Sequence, residues 1–198
     1  MSDTSLTMCR HGRTDYNDSG IVQGQLETEI NETGEQQAEA LAERLSTREF
    51  DAVYSSTMKR ALQTARVVNE RHGLEINQVD ALREVERAEY GGEPFDDMVE
   101  DIRASDKEDY LWKPDGGESL EELKHRVLGF MEKVAQSQHD DVLAIAHGGP
   151  IKVLVPGVMG HTSKRSYQVR TDNCSVNELA HNGRYWEIEL LNDTSHIG

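Results

Sequence analysis

Val142-Leu143-Ala144-Ile145-Ala146 is an unbroken apolar run, and a strand of that kind is stable only where both of its faces are covered, as in a buried parallel sheet. The stretch before it has helical spacing. Ser119 and Glu122 form a capping-box pair ahead of Leu120, Leu123, Val127, Met131 and Val134. The same alternation recurs along the chain. Residues 5–9 and 52–55 read as short strands, and Thr33 with Gln36 forms a second capping-box pair before Ala38, Leu41, Ala42 and Leu45. A further helix is expected at about 58–70, with Ala61, Ala65 and Val68 on one face. Near the end, residues 175–179 and 185–191 flank Asn182-Gly183, a strong hairpin signal. Together these predict an α/β fold whose mostly parallel sheet ends in an antiparallel hairpin.

The chain has 198 residues, the length of one sizeable domain spanning 1–198. Between Val85 and Gly117 the period is lost, Gly91-Gly92, Pro94, Pro114 and Gly116-Gly117 punctuate the chain, and Asp and Glu cluster from Glu93 to Asp109. Two readings fit this stretch: a mobile insertion over one face, or a solvated acidic helix between two loops. Lys and Arg number 21 against 37 Asp and Glu, a formal charge of -16, which would repel a nucleic-acid backbone or an anionic membrane. The acidity is spread along the whole chain and suits a protein of a salt-rich cytoplasm, where dense carboxylates keep a surface hydrated and salt screens their repulsion. Met1-Ser2-Asp3-Thr4 lacks a basic leader followed by an apolar stretch, so a soluble, cytoplasmic protein is expected. Cys9 and Cys174 lie far apart with no CxxC pair; both are expected to be buried small hydrophobes.

The positions of His and Arg carry the chemistry. Arg10-His11-Gly12 follows the first strand, Arg60 opens the helix after the second, and His147-Gly148-Gly149 follows the apolar run. In an open α/β sheet these are carboxyl ends of strands, where such folds place their ligands. An acidic chain that gathers two guanidinium groups and imidazoles at one crevice has an anion pocket suited to a phosphoryl group. The other histidines, at 72, 125, 139, 161, 181 and 196, read as surface or satisfied residues.

Rival chemistries fail on spacing or charge. A Cys-based phosphatase needs an Arg six residues after its Cys, and Cys9 has Asp15 there. Ser119 sits in Gly117-Glu118-Ser119-Leu120-Glu121, which misses the nucleophile elbow at its last position, and there is no P-loop or HExxH helix. A metal held by His11, His147 and a carboxylate would face repulsion from Arg10 and Arg60, so no metal or other cofactor is expected.

Arg10-His11-Gly12-Arg13-Thr14, with Asn17 and Gln23-Gly24 downstream, resembles the signature of the histidine phosphatase superfamily, also called phosphoglycerate mutase-like. Ser55-Ser56, Lys59-Arg60-Ala61, Gln63-Thr64-Ala65, Leu82-Arg83-Glu84, Gly116-Gly117-Glu118-Ser119, Ala146-His147-Gly148-Gly149 and Asn173-Cys174-Ser175 continue the likeness in order along nearly the whole chain. The resemblance implies a three-layer α/β/α sandwich. It implies His11 as the phosphorylated nucleophile, Arg10, Arg60, His147 and Asn17 as phosphate contacts, and Glu84 as proton donor. Where the family tends to run Gly-x-Trp-Glu-Gly, this chain has Ala88, Glu89, Tyr90, Gly91 and Gly92, which reshapes the acid loop and makes Glu86 and Glu89 rivals to Glu84. Glu27 stands where the family often has Asp.

The expected activity is hydrolysis of a small phosphorylated metabolite through phosphohistidine. The runner-up is a cofactor-dependent phosphoglycerate mutase, generally a longer chain, whereas Gly116-Gly117-Glu118-Ser119 resembles short phosphatases such as α-ribazole phosphatase. A phospho-ligand-binding module without turnover is the third reading; it would need the arginines but neither nucleophile nor acid.

Overall fold

The computed structural model describes residues 4–197; Met1-Ser2-Asp3, on which the expectation about a leader rests, lies outside them. Strand β1 (Thr4–Arg10) leads through a short helix α1 (Asp15–Ser19) to α2 (Glu32–Leu45), β2 (Ala52–Ser55), α3 (Lys59–Asn69) and the edge strand β3 (Ile76–Gln78). Helices α4 (Phe95–Ala104) and α5 (Leu120–Ala135) precede β4 (Asp141–Ala146), α6 (Gly148–Val158) and the final strands β5 (Val176–His181) and β6 (Trp186–Asp193). The sheet order is β3-β2-β4-β1-β5-β6. The first four of these run parallel, and β5 and β6 are antiparallel.

The apolar run is β4, flanked on one side by β2 and on the other by β1, which explains why it has no polar face. Alternate side chains divide the core. Leu6, Met8, Ala144 and Ala146 pack with Leu123, Val127 and Met131 of α5 and with Ile151 and Leu154 of α6. On the other face Cys9, Leu143, Ile145 and Val53 pack with Leu41 and Leu45 of α2 and Ala61, Ala65 and Val68 of α3. Helices therefore cover both sides of the sheet, the three-layer arrangement expected. Cys9 and Cys174 are both buried in this second layer, and burial pushes the Cys174 thiol up to about 12 and the Cys9 thiol higher still.

The Ser119–Glu122 capping box forms as expected, each side chain bonding the other's backbone N–H. The pair at Thr33 and Gln36 does not. Helix α2 begins two residues earlier, with Asn31 as its cap and the Asn31 side chain accepting from the Gly34 N–H at 3.0 Å. The reason is a tertiary contact: Asn31 N–H donates to the Arg13 carbonyl at 2.8 Å, and Gly34 lies so close to Arg13 that a Cβ there would fall 2.2 Å from the same oxygen. The loop after β1 thus fixes where α2 starts. In residues 85–117 the periodicity is that of a short amphipathic helix. Met98 and Ile102 of α4 are buried against Val22 and Trp112, forming a small cluster of its own, with the Tyr90 and Trp112 rings in edge contact at 5.7 Å. Asn182 N–H to the Tyr185 carbonyl closes the terminal hairpin, with Gly183 at φ +81°.

Candidate active site

Strand register brings the predicted residues together. Arg10 of β1 pairs with Ala146 of β4, and Ser55 of β2 pairs with Ile145, so the residues just past the three strand ends are neighbours. His11 N–H donates to the Ala146 carbonyl at 3.0 Å, and the His11 and His147 rings lie 5.0 Å apart, centroid to centroid.

His11 is 1% exposed. Its Nδ1 lies 2.7 Å from the Gly12 carbonyl, an oxygen that can only accept, so Nδ1 carries the proton and Nε2 carries the lone pair. Arg60 donates Nε–H to that Nε2 at 3.3 Å. Burial first, then the Arg60 and Arg10 charges, hold the His11 pKa well below its ordinary value. The imidazole is neutral. Gly12 must be glycine, because a Cβ would meet the Gly34 carbonyl oxygen at 2.5 Å.

Arg60, in the first turn of α3, is 1% exposed. It is clamped by carbonyls from the loop after α1, donating to Leu26 at 2.9 Å and Gly24 at 2.9 Å, and to Thr28 Oγ1 at 3.2 Å. Burial pushes its pKa down to about 10, against the opposing pull of Glu84 and Glu27. Arg10 donates Nη1–H to the Thr171 carbonyl at 2.7 Å, and its Nε is buried without a partner. His147 is the N-cap of α6, with Nε2 2.8 Å from Ser56 Oγ and Nδ1 buried and unpartnered. Burial, then Arg60, His11, Arg10 and Arg126, lower its pKa well below the ordinary value. Unpaired buried polar atoms are costly unless a ligand completes them, and here Arg10 Nε and His147 Nδ1 are two such atoms at one place.

Asn17 lies in α1, its Oδ1 accepting from Thr14 and from Asn173 Nδ2 at 3.2 Å. Asn173 Nδ2 also donates to the His11 carbonyl at 3.0 Å, so the Asn173-Cys174-Ser175 segment braces the backbone behind His11. Glu84 reaches the start of α6: Oε1 accepts from Gly149 N–H at 3.0 Å and from Val85 N–H at 2.8 Å. A Cβ at Gly149 would fall 2.1 Å from that oxygen, so glycine is the condition for this seat.

Arg10, His11, Asn17, Arg60 and Glu84 line one cavity of about 570 Å³. His147 stands immediately behind it through Gly148 and Gly149, which do line it. Glu86 accepts from its own loop at Ala88 N–H and Glu89 is exposed; neither faces the cavity. Several contributors had no assigned role in the sequence. Ser56 holds His147. Arg126 of α5 donates to the carbonyls of Asp80, Ala81 and Arg83 and to Glu118, pinning the loop that carries Glu84. Arg87, Lys152, Phe95 and Met98 form further walls; a Lys inside the otherwise apolar α6 was the one signal that could have marked any of them. Among the described residues no group of three or more His, Cys, Asp or Glu is disposed to hold a metal ion.

Residues 6–194 match the histidine phosphatase superfamily (branch 1). Phosphoserine phosphatase 1 of Hydrogenobacter thermophilus is 30% identical over 198 residues, covering 98% of this chain and 94% of its own. Glucosyl-3-phosphoglycerate phosphatase of Mycolicibacterium vanbaalenii is 33% identical over 166 residues, 78% of this chain and 74% of its own. Among solved structures, a mycobacterial glucosyl-3-phosphoglycerate phosphatase superposes with a TM-score of 0.86 at 29% identity, covering 97% of this chain and 100% of that one. YhfR of Bacillus stearothermophilus does so with 0.89 at 26%, covering 98% and 100%. By motif, fold and sequence, this chain belongs to branch 1 of the histidine phosphatase superfamily.

Proposed function

We propose that the protein is a phosphomonoesterase that hydrolyses a small phosphorylated metabolite through a phosphohistidine on His11. The observation that carries this reading is the 2.7 Å contact of His11 Nδ1 with the Gly12 carbonyl, which leaves a neutral imidazole whose Nε2 lone pair becomes the nucleophile when the Arg60 Nε–H that it accepts at 3.3 Å turns to a phosphoryl oxygen. In the first step Nε2 forms a bond to phosphorus as the ester P–O bond breaks, and Glu84, protonated, gives its proton to the departing alkoxide. In the second, a water gives a proton to the Glu84 carboxylate while its oxygen attacks phosphorus, the N–P bond breaks, and inorganic phosphate and neutral His11 are regenerated. Arg10 Nε, Arg60 and His147 Nδ1 bind the transferring oxygens, with Asn17 as a further contact. Ser56 Oγ–H donating to His147 Nε2 selects the tautomer that leaves Nδ1–H to donate. These fixed donors stabilise the transition state electrostatically.

Water as the acceptor, in place of a second substrate hydroxyl, is supported by relatives of matching length that are phosphatases by name. One sheet running through the described residues supports the reading of residues 1–198 as a single domain, with the acidic 85–117 segment contributing Phe95 to the cavity wall. No helix among the described residues is long and apolar enough to cross a membrane; a cytoplasmic, salt-adapted protein is the reading that the distributed charge of -16 supports. The deciding experiment is His11→Ala: turnover and an acid-labile, base-stable phosphoenzyme are expected to vanish together. Normal turnover in that variant, or phosphate trapped on a serine or cysteine, overturns the assignment.

A further inference from the structure

Cations in this acidic chain are almost all answered by carboxylates or by water. Arg13, Arg44, Arg48, Lys59, Arg71, Arg83, Lys113, Lys124, Arg126, Lys164 and Arg170 are in ion pairs. Arg66, Arg103, Lys107, Lys133, Arg165 and Arg184 are exposed. That leaves Arg10, Arg60, Arg87 and Lys152 as the shielded cations without a carboxylate partner, and all of them line the one cavity. Arg10 and Arg60 stand beside His11. The Arg87 and Lys152 side chains make no hydrogen bond or ion pair with any described residue, although Arg87 is only 5% exposed.

Their positions relate them to the leaving group. Arg87 lies three residues beyond Glu84 on the same loop, and Lys152 lies one helical turn beyond Gly149, whose N–H holds the Glu84 carboxylate. Both line the same cavity as the acid, which the catalytic reading above places at the departing oxygen. Burial lowers the Lys152 pKa, with Arg10 and Arg87 acting in the same direction and Glu84 opposing. Two cations that face one cavity with no protein anion paired to them repel each other, and an entering anion relieves that repulsion.

We propose that Arg87 and Lys152 form a second anion subsite that takes a carboxylate carried by the leaving group of the phosphomonoester. The phosphoryl pocket engages two guanidinium groups and two imidazoles; the second subsite has one planar fork and one ammonium, a donor set matched to a singly charged carboxylate and meagre for a second phosphate. The inference deepens the phosphatase reading and rests on it only for which side of the cavity the leaving group occupies.

The test compares phosphoserine with phosphoethanolamine, which differ by the carboxylate alone, as dissociation constants measured calorimetrically at fixed salt on the His11→Ala protein, where nothing is consumed. Phosphoserine is expected to bind about tenfold more tightly or better, the range of a charge-assisted hydrogen bond. Arg87→Met and, independently, Lys152→Met added to that protein are expected to shrink the ratio several-fold, with phosphoethanolamine affinity reporting that the pocket is still folded. Equal affinity for the two ligands, binding of neither, or a proportional loss of both in each variant overturns the subsite, and propane-1,3-diol bisphosphate binding as tightly as phosphoserine overturns the carboxylate assignment. Turnover of the unaltered protein is read separately: failure to release phosphate from any ester, with the binding preference intact, sinks the phosphatase reading and leaves the subsite standing.

Discussion

His11 and His147 carry the acid sensitivity of the site. Both are held neutral in the folded state by burial and the neighbouring guanidinium groups, whereas in the unfolded chain they protonate with the ordinary value of 6.5. A group whose folded pKa is depressed contributes stability that is fully present above the unfolded value and is lost as pH falls towards the folded one. The melting temperature is therefore expected to hold at pH 7 to 8 and to fall below about pH 6.5, and His147→Gln is expected to make that decline shallower; a decline of unchanged depth would refute the neutral-imidazole account. Glu84 makes a different prediction. Read as phosphoenzyme formation in a single turnover, which leaves out the shared hydrolysis step that also uses Glu84, Glu84→Gln should slow transfer from an alkyl phosphate by about 10²-fold or more, the usual worth of general acid catalysis, and from an aryl phosphate, whose leaving group needs no proton, far less. Equal losses on both would remove Glu84 as the acid. At this scale the sequence was legible wherever a residue sits at a strand end: Arg10, His11, Arg60 and His147 declare themselves by position. Arg87 does not, and Lys152 does so only as a lone cation in an apolar helix, because a cation's lack of a carboxylate partner is seen only in three dimensions.

Element boundaries are set partly by contacts that no local pattern contains. Ser119 and Glu122 cap α5 as their spacing says, because the tertiary contacts at that turn take other groups: the Tyr110 carbonyl accepts from Glu121 N–H, and Lys113 pairs with the Glu122 oxygen that the cap does not use. Thr33 and Gln36 have the same spacing and lose, because the Arg13 carbonyl takes the Asn31 N–H and fixes the chain at the entry to α2. Asn31→Ala is expected to cost about 1 kcal/mol of stability and Thr33→Ala only a few tenths, read as shifts in the denaturation midpoint; the reverse order would restore the local pattern. In the acidic 85–117 segment α4 is only ten residues long, and its i, i+3, i+4, i+7 set of Phe95, Met98, Val99 and Ile102 stands between Gly- and Pro-rich stretches and among five acidic and basic side chains, so the signal is brief but present in the sequence. Helix α6 carries a prediction of its own. Its second residue is Gly149, and the Cβ of Gly149→Ala would lie 2.1 Å from Glu84 Oε1. Alanine suits a helix, so the fold should survive while the carboxylate is expelled. The variant is expected to reproduce the substrate-selective loss of Glu84→Gln without a matching drop in melting temperature. Wild-type rates would mean that the Glu84–Gly149 contact does not position the acid.

For the molecule as a whole, the charge of -16 and the cationic cavity oppose each other. The carboxylates lie mostly outside and repel one another in the folded state, while Arg10, Arg60, Arg87 and Lys152 are gathered at one mouth. At about 0.01 M salt the Debye length is ~30 Å, so an approaching phosphate dianion meets the summed negative field before it meets the arginines. At about 1 M the length is ~3 Å, and the long-range term is gone. Contacts at hydrogen-bond distance inside the cavity are shielded from solvent and are weakened much less than the surface repulsion. Rising KCl is therefore expected to raise the melting temperature and to lower KM across about 0.05 to 1 M. A phosphate pocket on a neutral protein behaves oppositely, because added anions compete for its arginines with no repulsion to relieve. Repeating the series with NaCl separates screening, which depends on ionic strength alone, from specific ion binding. A melting temperature that falls while KM rises in both salts would overturn the salt-adapted reading, and the His11 chemistry would be untouched by it, because the neutral imidazole owes its state to burial and two neighbouring arginines and not to the field of the distant surface.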